Sequence, residues 1–256
     1  MSTDIEKPST AEIALSGSTI VTSTWGTGAP EIVLLHDGLG SIAQWRDLPA
    51  SIASATGRTV MAYDRRGHGR STPHPEGPWP TDWLHGEADV LGRLLATIGA
   101  QDPMLVGHSD GASIAAIHAA TMTTSSPLVM LAAHSWVEVV TVEAIAGMIQ
   151  RRDRVVTGLA RFHDEPEALF DAWAGVWVGD EFASWDIRDL IGSIGCSTVV
   201  VQGSLDEYAT PEHATSTTTA IGDNASCVFL EDVGHLIHHQ APADVVKLID
   251  KLQRGV

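Results

Sequence analysis

Cysteine is nearly absent. The chain holds two, Cys196 and Cys227, among 256 residues. Two thiols build no disulfide framework, and neither sits in a C-x-x-C pair, so a structural zinc site of the usual kind is excluded and a reducing cytosol is the simplest compartment. Both read as small core residues beside strands. Basic residues are scarce too: 15 Lys and Arg stand against 32 Asp and Glu, a formal net charge of −17. That field repels polyanions, so nucleic acid and anionic membrane surfaces, which need clustered Lys and Arg, are not expected partners. No run approaches the ~18–20 apolar residues of a membrane helix. Residues 1–10 are polar and acidic, without the apolar stretch of a signal peptide, and read as a disordered tail. The expectation is a soluble, cytoplasmic protein acting on a small molecule, with homodimerisation left open.

With 44% hydrophobic and 18% charged residues the composition is that of a globular chain. Its length suits one large core with an insertion better than two domains. Two β-prone runs, Ala11–Leu15 and Thr19–Trp25, flank a Ser16-Gly17-Ser18 turn. Apolar runs at 31–36, 59–63, 103–106 and 127–132 then alternate with helix-prone segments at 41–54, 82–98 and 111–121. Runs of four to six apolar residues without period-2 alternation suit strands buried on both faces, hence a mostly parallel, doubly wound α/β sheet. The rhythm lapses over 137–190, a helix-prone, charge-rich stretch holding Trp173, Trp177 and Trp185, with Trp136 at its entrance. It reads as a small helical lid inserted after the sixth strand, between core segments 11–136 and 191–256. Strands return at 197–202 and 226–230, and a closing helix over 241–253 places Val245, Leu248, Ile249 and Leu252 at helical spacing.

Gly107-His108-Ser109-Asp110-Gly111 matches G-x-S-x-G where a strand ends and a helix begins. A turn that sharp strains the central residue and needs small neighbours two positions away on each side. It lifts the serine hydroxyl above the sheet edge, over a helix N-terminus that favours negative charge. Serine needs a base to lose its proton, and the base needs an orienting carboxylate. Asp206, four residues past the strand ending at Gln202, and His235, in Asp232-Val-Gly-His235 after the final strand, supply them in the order Ser, acid, His. Glu138 is the alternative acid and Glu207 a close neighbour of the favoured one. His238 and His239 are rival bases, read as flanking residues.

This order, with Leu35-His36-Asp37-Gly38-Leu39-Gly40 and Asp64-Arg65-Arg66-Gly67-His68-Gly69-Arg70-Ser71, resembles the α/β-hydrolase superfamily over about residues 20–254. The resemblance implies a serine-nucleophile, esterase-like member of the α/β-hydrolase fold. It implies an oxyanion hole from the backbone N–H groups of Gly38 and Asp110, with no metal and no organic cofactor. Asp37 stands where the family commonly has glycine. It is read first as a brace for the loop, with pairing to Arg66 or repulsion of anionic substrates as alternatives. Asp37, His134, Trp136, Trp173, Trp177 and Tyr208 are the expected pocket residues. The implied substrate is a small, neutral, partly apolar carboxylic ester, thioester or lactone. C–C bond hydrolysis, lyase or cofactor-free haloperoxidase chemistry, and a slow-turnover ligand-binding or signalling role, remain as alternatives. A serine at the elbow disfavours epoxide and haloalkane hydrolysis, whose family members use a carboxylate there.

Overall fold

The computed structural model describes residues 7–74 and 77–255. Strands β1 (Ser9–Leu15), β2 (Ser18–Trp25), β3 (Ile32–Leu35), β4 (Val60–Tyr63), β5 (Met104–His108), β6 (Leu128–Leu131), β7 (Thr198–Gly203) and β8 (Ala225–Leu230) form one sheet. Their order is β1-β2-β4-β3-β5-β6-β7-β8. β1 pairs antiparallel with β2, and β2 with β4; the remaining pairings are parallel. Strand order reverses direction at β3 and β5, and in an open α/β sheet a ligand crevice forms at that switch, beyond the carboxyl ends of the strands.

Each of β3 to β6 is buried at every position, which explains the unbroken apolar runs. Alternate residues serve two different cores. Val33, Leu35, Met61, Tyr63, Leu105 and Met130 pack under helices α2 (Trp83–Thr97), α3 (Asp110–Thr121) and α6 (Pro166–Trp177). Ile32, Leu34, Val60, Ala62, Val106 and Val129 pack under α1 (Leu48–Thr56) and α10 (Pro242–Gln253). The residues of α10 buried in the second core are Val245 and Ile249, on the stripe read from the sequence.

The interval between β6 and β7 holds α4 (Val139–Ile149), α5 (Arg152–Leu159), α6 and α7 (Arg188–Ile191). The first three pack on one another, whereas α7 packs on α3 and on α8 (Pro211–Ile221) at the sheet. A short helix α9 (Ile237–Gln240) links the β8 loop to α10.

Two expectations need correction. The strand that opens the sheet begins at Ser9, so Ser9 and Thr10 are not tail; they pair with Thr24 and Ser23. β1 is mostly exposed, its first two residues are polar, and backbone pairing with β2 rather than burial holds them. The rest of the expected tail, residues 1–6, lies outside the described residues. The helix expected over 41–54 is split into a 3-10 turn (Ile42–Trp45) and α1. Arg46, at φ 52, breaks the path, and Pro49, which has no N–H to give to a preceding turn, sits in the first turn of α1.

Gly111 anchors α3 against β3. A Cβ there would lie 2.2 Å from the Leu35 carbonyl oxygen and 2.5 Å from that of His36, and backbone cannot yield. Gly111→Ala is therefore expected to lose about 3 kcal/mol in urea unfolding. Gly175→Ala, in α6 where an added Cβ meets nothing within 4 Å, is expected to gain ~0.5–1 kcal/mol. Equal effects would show that the close approach of α3 to β3 is misread.

Candidate active site

Ser109 sits between β5 and α3 at φ 53 and ψ −121, a left-handed conformation that costs a non-glycine residue about 1–3 kcal/mol. Its N–H donates to the Leu131 carbonyl at 2.8 Å, which holds the turn to β6. Gly107 leaves room for the start of α3: a Cβ there would lie 2.4 Å from Ala112 Cα and from the Gly111 carbonyl oxygen. The two glycines of the motif are thus steric requirements of the bend.

His235 leaves the β8 loop and faces the same cavity as Ser109, a space of about 210 Å³. Its Nδ1–H donates to Asp206 Oδ1 at 2.9 Å, and the same oxygen accepts the Tyr208 N–H at 2.9 Å. The Asp206 side chain is fully buried. Glu207 accepts the backbone N–H of His235 at 3.1 Å. Burial alone would depress the His235 pKa. The Asp206 hydrogen bond and charge, with Asp37 and Glu207 nearby, outweigh it and leave the pKa raised. The ring is thereby fixed with Nδ1 as donor and Nε2 available.

The alternative acid is engaged elsewhere. Glu138 accepts from His213 Nδ1 at 2.8 Å and from Thr210 Oγ1 at 2.6 Å, while His213 Nε2 accepts the Ser135 N–H at 2.8 Å. The rival imidazoles are also placed. His239 Nε2 donates to the Gln44 carbonyl at 2.7 Å, and His238 is buried against Trp45 and His108. Trp136, expected in the pocket, stacks flat on His213 with ring centroids 3.7 Å apart and lies under Arg188; it is not among the cavity-lining residues.

The loop after β3 is held by its carbonyls. Asp37 O accepts from Arg65 Nη2 at 2.7 Å and from His36 Nδ1 at 2.8 Å. Gly38 O lies 2.9 Å from His68 Nε2, and Leu39 O accepts from His163 Nε2 at 3.0 Å. With the carbonyls tied back, the N–H groups of Gly38 and Asp110 have no acceptor among the described residues. A Cβ on Gly38 would strike Trp173 Nε1 at 2.1 Å, so glycine is required there. Asp37 does not pair with Arg66, which bonds Glu87 at 2.7 Å; instead its Oδ1 accepts the Leu39 N–H at 3.0 Å and its Oδ2 lies 3.3 Å from His108 Nδ1. Burial opposes its ionisation, but contact with His108 and the positions of His238 and His36 hold its pKa well below the usual carboxylate range.

Asp37, His134, Trp173, Trp177 and Tyr208 line the cavity with Gly38 and Asp110. The sequence reading missed its apolar end, formed by Ile145 and Met148 of α4 and Leu159 of α5. These residues lie among ordinary helix-core positions, and nothing in their spacing marks them. No Lys or Arg is among the lining residues, while Asp37, Asp110 and Glu207 are.

Asp110 is buried, and its Oδ2 accepts the Trp173 indole N–H at 2.8 Å. Burial pushes its pKa up to about 6, with Arg65 and the Trp173 hydrogen bond opposing the rise. A carboxyl that keeps its proton to higher pH when folded destabilises the native state as pH rises from 3.8, the unfolded value, through about 6. Asp110→Asn retains an oxygen for the indole and removes that cost. Its Tm relative to wild type is expected to be several degrees higher at about pH 8 than at about pH 4. A pH-independent difference would refute the assignment.

The profile of the "Alpha/beta hydrolase family" matches residues 32–248. Among curated proteins, the chain is 30% identical over 160 residues to a non-heme haloperoxidase of Rhodococcus erythropolis, covering 59% of this chain and 55% of that one. It is 30% identical over 104 residues to a bifunctional esterase/perhydrolase of Acinetobacter calcoaceticus, covering 41% and 36%. The aligned stretches thus span from about a third to just over half of these relatives. Among solved structures, an enol-lactonase from Burkholderia xenovorans superposes with a TM-score of 0.75 at 18% identity, covering 95% of this chain and all of that one. A putative lipase from Acinetobacter baumannii gives 0.74 at 19%, covering 98% and 93%. At such identities the superpositions speak for the fold, and the profile for the family. No helix among the described residues is long and apolar enough to cross a membrane. Strand order, elbow and profile agree, and the chain belongs to the α/β hydrolase family.

Proposed function

We propose that this chain is a serine hydrolase that cleaves a carboxylic ester, thioester or lactone of a small, neutral, partly apolar substrate through an acyl-enzyme. The observation that carries the reading is the Asp206–His235 hydrogen bond, at 2.9 Å, beside a strained Ser109 in one cavity. Ser109 Oγ attacks the carbonyl carbon while His235 Nε2 takes its proton, and Asp206 stabilises the imidazolium. The N–H groups of Gly38 and Asp110 receive the oxyanion. His235 then protonates the leaving group, and water, deprotonated by the same imidazole, releases the acid. Helices α4–α6 act as the lid: their apolar side chains hold the acyl part and exclude water. Three carboxyl groups, and no Lys or Arg, are among the residues lining the cavity, which disfavours anionic substrates. Two free cysteines fit a cytoplasmic setting.

A second reading is favoured by similarity to the haloperoxidase and the esterase/perhydrolase. Hydrogen peroxide in place of water, deprotonated by His235, would attack the acyl carbon and release a peracid and free Ser109. It needs the same residues and differs only in the acceptor.

Nitrophenyl esters and lactones of increasing chain length test both. Ser109→Ala is expected to abolish turnover, and residual activity above about one per cent would remove Ser109 as nucleophile. Asp206→Asn is expected to lower kcat by up to about 10⁴-fold, with Glu138→Gln far milder; the reverse ranking would move the acid to Glu138. The base must be neutral to act, so kcat/KM should rise with pH through an inflexion above 6.5, the ordinary histidine value, and then level off. In Asp206→Asn the inflexion should fall. An unchanged inflexion would mean that another group titrates.

A further inference from the structure

Behind the elbow, three side chains from distant segments converge. They are Asp37 after β3, His108 at the end of β5 and His238 in α9, and their ligand atoms lie within 4.8 Å of one another. All three side chains are largely withdrawn from solvent: His108 is fully buried, His238 is 5% exposed and Asp37 18%.

The hydrogen bonding of His108 poses the problem. Its Nε2 lies 2.9 Å from the His235 carbonyl, which can only accept, so Nε2 carries a hydrogen. In the neutral ring Nδ1 is then a bare lone pair, and it faces Asp37 Oδ2 at 3.3 Å. Two lone pairs buried at that separation repel unless a positive centre lies between them. Neither His108 Nδ1 nor His238 Nδ1 has a hydrogen-bond partner among the described residues. A proton on His108 would satisfy Asp37 but leaves the buried His238 Nδ1 without a partner among the described residues. A metal ion uses all three.

We propose that Asp37, His108 and His238 form a binding site for a divalent transition-metal ion of the zinc or cobalt class. Two imidazoles and one carboxylate are donors such ions select over magnesium or calcium, which prefer oxygen. Tetrahedral bonds of about 2.0–2.2 Å place neighbouring ligand atoms roughly 3.3–3.5 Å apart. The His108–Asp37 pair already has that spacing, and an inward turn of the His238 ring completes the set. The outer shell also exists: His108 Nε2–H is anchored on the His235 carbonyl, and Asp37 Oδ1 on the Leu39 N–H. Asp37 lines the cavity, which gives an ion its route in. Bound there, the ion ties the oxyanion loop, the elbow and the segment after His235 to one centre. It takes no part in the ester chemistry, and the proposal stands or falls independently of it.

Cobalt titration of chelator-stripped protein tests the site, read by visible absorption and by metal analysis after gel filtration. One equivalent is expected to bind, with a tetrahedral-type spectrum displaced by zinc. His238→Gln should weaken binding by at least roughly tenfold, the scale that even outer-shell changes cost. Should that variant fold poorly, wild-type protein with ¹⁵N-labelled histidine suffices. Cobalt should broaden the ring signals of His108 and His238 and spare that of His213, which Glu138 holds. No stoichiometric uptake, or broadening that spares His108 and His238, overturns the proposal and leaves the pair as an Asp37–His108 ion pair.

Discussion

The backbone turn at Ser109 is the constraint on which the rest of the site depends. A side chain in the left-handed region is retained only where its surroundings leave no alternative, and here they leave none. The turn is hydrogen-bonded to β6, Gly107 clears the start of α3, and Gly111 presses α3 onto the carbonyls that end β3. One bend therefore sets three things together: the direction of the serine hydroxyl, the position of the free Asp110 N–H, and the distance between β5 and the β3 loop. Loosening it would misplace the Ser109 hydroxyl and the Asp110 N–H at once.

Around that bend the protein uses imidazoles as struts. Nine of the twelve histidines are buried, and burial holds several of them, including His36, His68 and His134, well below their ordinary pKa. Neutral rings accept at one nitrogen and donate at the other, so they bridge backbone groups without the desolvation cost of a charge. His36 and His163 do this on the loop after β3, and His213 does it between Ser135 and Glu138. His235 differs because it has a fully buried carboxylate on Nδ1, which raises its pKa against the effect of burial. Among many similar side chains, the partner on one ring nitrogen sets His235 apart from the struts.

The carboxylates divide in the same way. Asp206 serves His235, Asp37 faces His108, and Asp110 is forced toward neutrality under the Trp173 indole. Asp37 and Asp110 are pushed toward opposite charge states, because each sees a different balance of burial and nearby donors. The result is a cavity with acidic walls and an apolar end.

Local rules were enough to read much of this from the chain. Unbroken apolar runs such as 103–106 are what a doubly buried strand must look like. Glycines two positions either side of Ser109 are what the bend demands, and the Ser, acid, His order is what the family resemblance implies. Long-range packing decided the rest. Positions after the last two strands favour Asp206 over Glu138 and His235 over His238, but their hydrogen-bond partners appear only when β7 and β8 bring one pair to the cavity and α8 takes the other acid. Trp136 was misread because composition cannot say which neighbour a ring will stack on. Asp37, His108 and His238 carry no shared motif, since a cluster drawn from three separate segments exists only once the sheet has brought them into contact. Sequence by itself determined the strand pattern and the strained turn, which depend on neighbours along the chain. Tertiary structure alone decided partners, charge states and pocket walls, because hydrogen bonding and desolvation act through space.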